Sequence, residues 1–384
     1  MNYCSSGFKL GILGGGQLGK MLLYETRKYD IYTLVLDPDA EAPCRTGCNE
    51  FFQGDLTDFD TVYEFGKKTD LLTIEIEKVN TDALAQLEKE GLSVYPSAQT
   101  LRTIQHKGRQ KLFYVDHDIP TAPFTRFAYL SEIHAALKNE TLTFPFVWKS
   151  ALFGYDGQGV KIIKTYSDLE ELPKGECITE ALIDFKDELA VLVARDPGGN
   201  VKAYPAVDME FHPEANQAEY VVCPANIPES VAGKAQLIAL KVAHSLKHVG
   251  ILAVEMFRTD KDEILVNEAA PRPHNSGHYS IEAAYTNQFE QHLRAILSLP
   301  LGKTDSKIAA VMVNLVGAEG YSGPVVYENL DEILKMEGVT PHIYGKKETR
   351  PFRKMGHVTV IHEDVKMARQ LAERVKRTLK VVSR

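Results

Sequence analysis

Short apolar runs alternate with amphipathic stretches from Lys9 to about Pro96. Lys9-Leu10-Gly11-Ile12-Leu13 is a strand-length run that meets a glycine cluster, and Gln17 to Tyr29 then reads as a helix. Tyr32 to Leu36 gives a second strand, ending at Asp37 with Pro38 behind it. Asp70 to Ile76 gives a third, followed by a helix around Thr81 to Glu90 that Gly91 can cap. Strands alternating with helices at these lengths predict a parallel sheet wound with helices.

The pattern then changes. Ser97 to Pro123 reads as a cation-rich helical stretch closed by Ile119-Pro120-Thr121-Ala122-Pro123, and it marks a domain boundary. Phe144 to Lys149 and Val160 to Lys164 read as strands joined by a glycine-bearing loop. Ile178 to Ile183 is a further strand, and Glu188 opens the next, which runs to Ala194 and turns at Asp196 to Asn200 into Val201 to Val207. Ala232 to Val249 has the clearest helical period, carried by Ile238, Val242, Leu246 and Val249, with Gly250 as its C-terminal cap. A hairpin of Ile251 to Arg258 and Ile264 to Glu268 follows. From about Leu301 the chain offers a strand at Ile308 to Val316, a short one near Val358 to Ile361 and a final helix from Asp364 to Leu379. The middle is therefore expected to be mixed and antiparallel.

Length and charge bound the function. At roughly 150 residues per domain, 384 residues imply two or three domains with ordinary cores. Forty-four Lys and Arg against 52 Asp and Glu leave a net charge of −8. Nucleic acid is therefore not an expected partner, because its binding draws on neutralised phosphates. Cys4, Cys44, Cys48, Cys177 and Cys223 are odd in number and scattered, with no C-x-x-C pair, and read as reduced thiols. No stretch before Lys9 has the apolar core of a signal peptide. No apolar run approaches the ~20 residues that span a bilayer. The expectation is a cytoplasmic protein with no membrane partner.

Several segments carry candidate chemistry. Gly14 to Gly19 contains G-x-G-x-x-G between a strand and a helix, with Asp37 ending the next strand. That combination suits a phosphate at the helix start and a ribose at the acid, as in a nicotinamide enzyme, or equally a ligand-free close packing of strand on helix. In the hairpin, a turn centred on Thr259 to Glu263 sets Glu255 opposite Glu268. Opposed like charges call for a shifted pKa or a cation between them, and with Asn267 they suit magnesium bridging substrate phosphates. A register differing by one would instead send the two acids into solvent. Lys149 ends an apolar strand before the glycine loop Gly154 to Gly159, an arrangement that can close on polyphosphate or be a plain surface hairpin. Beyond the acids, Arg272, His274, Asn275, Ser276 and His278 crowd into a proline-fixed segment where a phosphate can be attacked. Arg350 to His357 is a basic cluster able to receive a phosphate, or a solvated loop.

The order of these motifs resembles the ATP-grasp ligases, and within them the N5-carboxyaminoimidazole ribonucleotide synthase branch. The resemblance covers nearly the whole chain. Its carriers are Gly14 to Met21, Glu75-Ile76-Glu77, Pro120 to Pro123, Gly154 to Gly157, Asn267 to Arg272, His274 to His278 and Arg353 to His357. It implies an α/β and α+β fold with ATP-grasp architecture. An N-terminal Rossmann-like parallel-sheet domain would span 1–105 and an ATP-grasp domain 106–300, with its lid at about 124–180; a small C-terminal domain would span 301–384. It implies ATP and bicarbonate as substrates with Mg2+ as cofactor, formation of carboxyphosphate, and carboxylation of the amine of 5-aminoimidazole ribonucleotide. A homodimer is implied as well.

Residue by residue, the resemblance sets Lys107 and Lys149 at ATP phosphates, and Gly154, Tyr155, Asp156, Gly157, Gln158, Gly159 and Val160 in the lid. Glu180 to Ile183, including Ala181 and Leu182, would meet adenine, Glu188 the ribose, and His212 the nucleotide. Asn267 would lie at ATP, and Glu255 and Glu268 would bind magnesium. Gln17, Leu18 and Glu75 would face the imidazole ribonucleotide, with Lys354 and Arg350 at its phosphate. Tyr155, Asp156, Arg272, His274, Asn275 and Ser276 would surround the carboxylation centre. Asp156 and His274 would orient amine and bicarbonate, and Arg272 would offset developing negative charge. Three positions depart from the family pattern: Gln158 for Arg or Lys, Val160 for Gln, and Phe352 for the Gly before R-K-M-G-H. A formate-using ligase of the same fold, a nicotinamide dehydrogenase and a nucleotide-binding regulator without turnover remain as rival expectations.

Overall fold

The computed structural model describes residues 2–152, 159–212 and 217–384. Among them the strands form sheets of five, four, nine and three. The first is parallel, in the order Glu50–Gln53, Tyr32–Asp37, Lys9–Leu13, Leu71–Ile74, Ser93–Tyr95. Its central strand is apolar throughout because both faces are covered: Leu10, Ile12 and Leu13 are fully buried. The helix Gln17–Lys28 lays Leu18, Met21 and Leu22 against that strand. Leu71–Ile74 is shorter than expected at both ends. At its two ends the Asp70 carboxylate accepts the Lys9 N–H and the Glu75 carboxylate caps the Gln17–Lys28 helix, while both backbone N–H groups still donate to the central strand.

The stretch after Ser97 is two helices, Ala98–Ile104 and Lys107–Asp116, where one was expected. His106 breaks them: its ring accepts the Arg109 N–H as a cap, and its backbone bridges to Leu152. The second helix stops at Asp116, ahead of the prolines, and Asp118 takes a φ of 49°. An antiparallel sheet follows, ordered Phe124–Phe127, Cys177–Ala181, Phe146–Ser150, Val160–Ile163.

In the large sheet, Phe185–Arg195 pairs with Gly250–Thr259, which in turn pairs with Ile264–Ala270. Glu188 thus lies inside its strand, three residues from the start. The long helix is Glu229–Ser245, displaced toward the N-terminus from its expected place. Its cap is Lys247, with φ of 49°, because the His248 N–H reaches back to the Ala243 carbonyl and Lys247 to His244. Gly250 opens the next strand instead.

The C-terminal strands Ala309–Val316, Lys354–His362 and Val339–Ile343 extend this same sheet through Ala218–Cys223. The helix Val365–Thr378, begun by the side chain of Asp364, covers Val311, Val313 and Val358. The architecture is the expected one of an N-terminal parallel sheet, central antiparallel sheets and a C-terminal part, mixed α/β throughout. Among the described residues no helix is long and apolar enough to cross a membrane.

Candidate active site

From Arg258 opposite Ile264 to Met256 opposite Val266 the hairpin register follows its turn. Continued unchanged, it would set Glu255 opposite Asn267. A bulge intervenes, one extra residue in the second strand, and Glu255 faces Glu268. Two carboxylates so placed cannot both ionise freely. Burial, then Glu268 and Glu188, push Glu255 up to about 8. Burial acts on Glu268 in the same direction, but Lys107 and Lys149 outweigh it and hold that carboxyl down at about 2. One carboxyl of the pair is thus raised and the other lowered, and two facing carboxylates are a donor set that fits a hard divalent cation.

Cations ring the pair. Lys107 opens its helix and forms an ion pair with Glu268. Lys149, on the strand Phe146–Ser150, donates to the Asn267 amide oxygen at 2.8 Å and to Glu180 at 3.1 Å. Four residues after Lys107 on the same helix, Lys111 reaches the other oxygen of Glu180 at 3.3 Å and the Thr121 hydroxyl at 2.6 Å. Sequence reasoning overlooked Lys111. The i,i+4 spacing from Lys107 was the available signal, since it puts both ammonium groups on one helix face. Glu188 stands nearby; burial pushes it up to about 7, with Lys149 opposing.

His274 caps a short turn and links the acids to the next segment. Its Nδ1 accepts the Ser276 N–H at 3.3 Å and lies 2.9 Å from the Ser276 hydroxyl, so Nε2 carries the proton and faces Glu255 Oε1 at 3.4 Å. Asn275 exchanges two 2.8 Å hydrogen bonds with Asn314. Arg272 reaches the N-terminal sheet, its Nε lying 3.0 Å from Glu77 Oε2. The third-strand segment therefore contributes Glu77 as well as Glu75 to this region.

At the first helix, Glu75 accepts the Leu18 and Gly19 N–H groups, each at 3.0 Å, and Asp37 accepts that of Gly15 at 2.6 Å. Two of the chain's own carboxylates hold the N–H groups that a dinucleotide pyrophosphate needs, which removes the structural basis for the nicotinamide expectation. Burial, partly offset by the Gly19 N–H, raises the Glu75 pKa. Gln17 begins this helix beside them.

The remaining expected residues are less closely gathered. Lys354 is near enough to lower the Glu255 pKa, against the larger effect of burial. Arg350 is exposed. His212 stacks obliquely on Phe352, with ring centres 5.6 Å apart. A cavity of about 300 Å³ there is lined by His212, Asn314 and Phe352 and does not include the acid pair. Ala181 ends its strand, and exposed Leu182 and half-buried Ile183 follow it. Gly159 takes a φ of 77° and Val160 pairs with Lys149. Gly154, Tyr155, Asp156, Gly157 and Gln158 lie outside the described residues.

Comparison with known proteins agrees with this arrangement. Residues 112–289 match the ATP-grasp domain, 8–105 the ribonucleotide synthetase preATP-grasp domain and 310–371 the phosphoribosylaminoimidazole carboxylase C-terminal domain. The N5-carboxyaminoimidazole ribonucleotide synthase of Bacillus subtilis is 36% identical over 361 residues, 93% of this chain and 92% of that one. The chain belongs to the N5-carboxyaminoimidazole ribonucleotide synthase family of ATP-grasp ligases. The family's synthetase from Thermotoga maritima superposes with a TM-score of 0.90 at 43% identity, covering 98% of this chain and 100% of that one. The Aspergillus clavatus enzyme, in complex with ADP and 5-aminoimidazole ribonucleotide, gives 0.88 at 31%, covering 98% and 99%. Phosphoribosylaminoimidazole carboxylase of Schizosaccharomyces pombe is 38% identical over 92% of this chain, but the match spans only 65% of that protein's length.

One departure from the family pattern now has a physical description. At Phe352, where the resemblance leads one to expect glycine, φ is 63°. The backbone keeps a glycine-like conformation that costs a side chain about 1–2 kcal/mol. The loop is held there by the Phe352 N–H donating to Gly317 and the Gln217 amide donating to the Phe352 carbonyl.

Proposed function

We propose that the protein carboxylates 5-aminoimidazole ribonucleotide with bicarbonate at the expense of ATP, giving N5-carboxyaminoimidazole ribonucleotide, ADP and phosphate, a step of purine biosynthesis. The observation that supports this most is the bulge that faces Glu255 with Glu268 between Lys107, Lys149 and His274. In this reading Glu255, Glu268 and Asn267 hold Mg2+, which when bound offsets charge on the phosphate oxygens. Lys107 and Lys149 neutralise the triphosphate. Glu180 to Ile183 receive adenine, and Glu188 receives the ribose, with His212 near the nucleotide.

Bicarbonate is a poor electrophile, and phosphorylation gives it a leaving group. A bicarbonate oxygen attacks the γ-phosphorus as ADP departs. Phosphate then leaves the carboxyphosphate carbon as the exocyclic amine bonds to it, and the amine gives up a proton. Arg272, held by Glu77, meets the negative charge that develops, and His274 orients the reactants through its Nε2–H. Tyr155, Asp156, Asn275 and Ser276 complete this centre and help to exclude water. Gln17, Leu18 and Glu75 bind the ribonucleotide, with Lys354 and Arg350 at its phosphate. Domains at 1–105, 106–300 and 301–384, a homodimer and a cytoplasmic setting belong to the same reading.

The test is isotopically labelled bicarbonate supplied with ATP, magnesium and the ribonucleotide. Label in an acid-labile carbamate of the ribonucleotide, formed one for one with ADP, is the expected result. ADP formed without label in the product contradicts the proposal.

A further inference from the structure

Lys111 and Lys149 approach one carboxylate, that of Glu180, from two elements. Lys111 takes Oε1 at 3.3 Å and Lys149 takes Oε2 at 3.1 Å. All three side chains are nearly inaccessible, exposed by 2%, 9% and 3% for Lys111, Lys149 and Glu180. Lys111 is fixed at its other side by Thr121, whose hydroxyl accepts from it and donates to the Val266 carbonyl at 2.7 Å. Val266 sits in the strand that carries Asn267 and Glu268. The helix of Lys107, the hairpin of the acid pair and the strand of Glu180 therefore meet at one ammonium.

The charge balance of this cluster decides what Lys149 can do. If Glu180 had Lys149 as its sole partner, the buried pair would be neutral, and Lys149 would be held to Glu180 by the full attraction of a desolvated ion pair. A second ammonium on the same carboxylate leaves one positive charge over. Among the described residues Lys111 pairs with no other anion, and it is anchored to a neutral hydroxyl. Lys149 has a neutral amide, Asn267, as its second partner and lies on the side of the acid pair. We propose that Lys111 is a positioning residue for the nucleotide: it neutralises Glu180 from behind, so that the Lys149 ammonium retains its charge for a polyphosphate. Consistent with two cations sharing one anion, burial and the neighbouring Lys149 hold Lys111 down at about 8, against the opposing pull of Glu180.

This inference rests on the functional reading for its ligand, and the test keeps the two apart. The near-isosteric Lys111→Met is compared with the wild-type full chain, both by calorimetric titration with MgADP and by the kinetics of ADP release. The variant is expected to bind MgADP and to use ATP with a constant raised about tenfold or more, while the KM for the ribonucleotide moves less than about twofold. In a Glu180→Gln background, where the anchor is already uncharged, adding Lys111→Met should bring no further loss. Unchanged nucleotide affinity in Lys111→Met overturns the proposal, as do effects of the two substitutions that simply multiply. Should Lys111→Met lower the melting temperature enough to prevent assay, Thr121→Val removes the anchor and keeps the charge. A rise of about threefold in the MgADP constant is then expected, and no rise overturns the proposal. Wild-type protein that binds MgADP yet shows no ribonucleotide- and bicarbonate-dependent ADP release refutes the functional reading alone, and the calorimetric comparison still decides the role of Lys111.

Discussion

Glu255 lies directly opposite Glu268 because one extra residue bulges from the second strand of their hairpin. The bulge turns an acid-amide pair into an acid-acid pair, and the chain carries the electrostatic consequence itself. Burial and the facing carboxylate raise the Glu255 pKa, while Lys107 and Lys149 lower that of Glu268.

Glu255 is the group to vary for stability. A carboxyl whose folded pKa is raised binds its proton more tightly when folded. Its contribution is full below the ordinary value of 4.5 and is lost as pH rises toward about 8. Glu255→Gln mimics the protonated form and should escape that loss. Denaturant melts are expected to show the variant more stable than wild type by about 2–4 kcal/mol at pH 8 and nearly equal at pH 5. Equal stability at pH 8 would show that the carboxyl is not raised.

The histidines set the acid limit. His248, His278, His292 and His357 are buried, and burial lowers all four below the ordinary value, His248 to about 4 and His292 to about 3. A histidine depressed on folding stabilises above pH ~6.5 and loses that contribution as pH falls below it. The raised carboxyls of Glu255, Glu188 and Glu75 oppose in the other direction. The net expectation is a fall of about 1–2 kcal/mol between pH 6 and 5. Urea midpoints at pH 7, 6 and 5 measure it, and a flat profile would contradict the burial of these rings.

Phe352 offers a test of backbone conformation. With φ at 63°, Phe352→Gly restores the permissive residue, but gives it back greater freedom when unfolded, and the two effects nearly cancel. The melting temperature should shift by no more than about 2 °C and the ribonucleotide KM by no more than about twofold. A β-branched residue cannot sit there cheaply, so Phe352→Val should destabilise by about 1–2 kcal/mol.

Much of the fold was legible because its signals are local. Lys9–Leu13 and Tyr32–Asp37 are strand-length apolar runs, and Asp364 is a side-chain cap at the helix start the pattern predicted. Tertiary choices were not legible. The break at His106 depends on a bridge to Leu152, distant in sequence. The end of the long helix is a Schellman cap built on Lys247, a residue with no intrinsic preference for positive φ, while the nearby Gly250 misdirects. In the site, the turn by itself sets Glu255 opposite Asn267; the expected facing of the two acids arises only through a bulge that has no side-chain signature. Lys111 was hidden because a lysine on a helix usually faces water, and here the chain buries it against Glu180.

In the proposed function, metal binding and turnover meet at Glu268. The Glu268→Gln variant keeps the shape of the hairpin and removes the charge that Lys107 pairs with. The most direct measurement is ADP release by wild type and this variant with ATP and magnesium, adding the ribonucleotide and bicarbonate singly and together. The expected result is release by wild type that requires both, with a loss of at least about 100-fold in the variant and a cooperative melt retained. Release that persists without bicarbonate, or that survives Glu268→Gln undiminished, would contradict a phosphoryl-transfer site built on the facing acids.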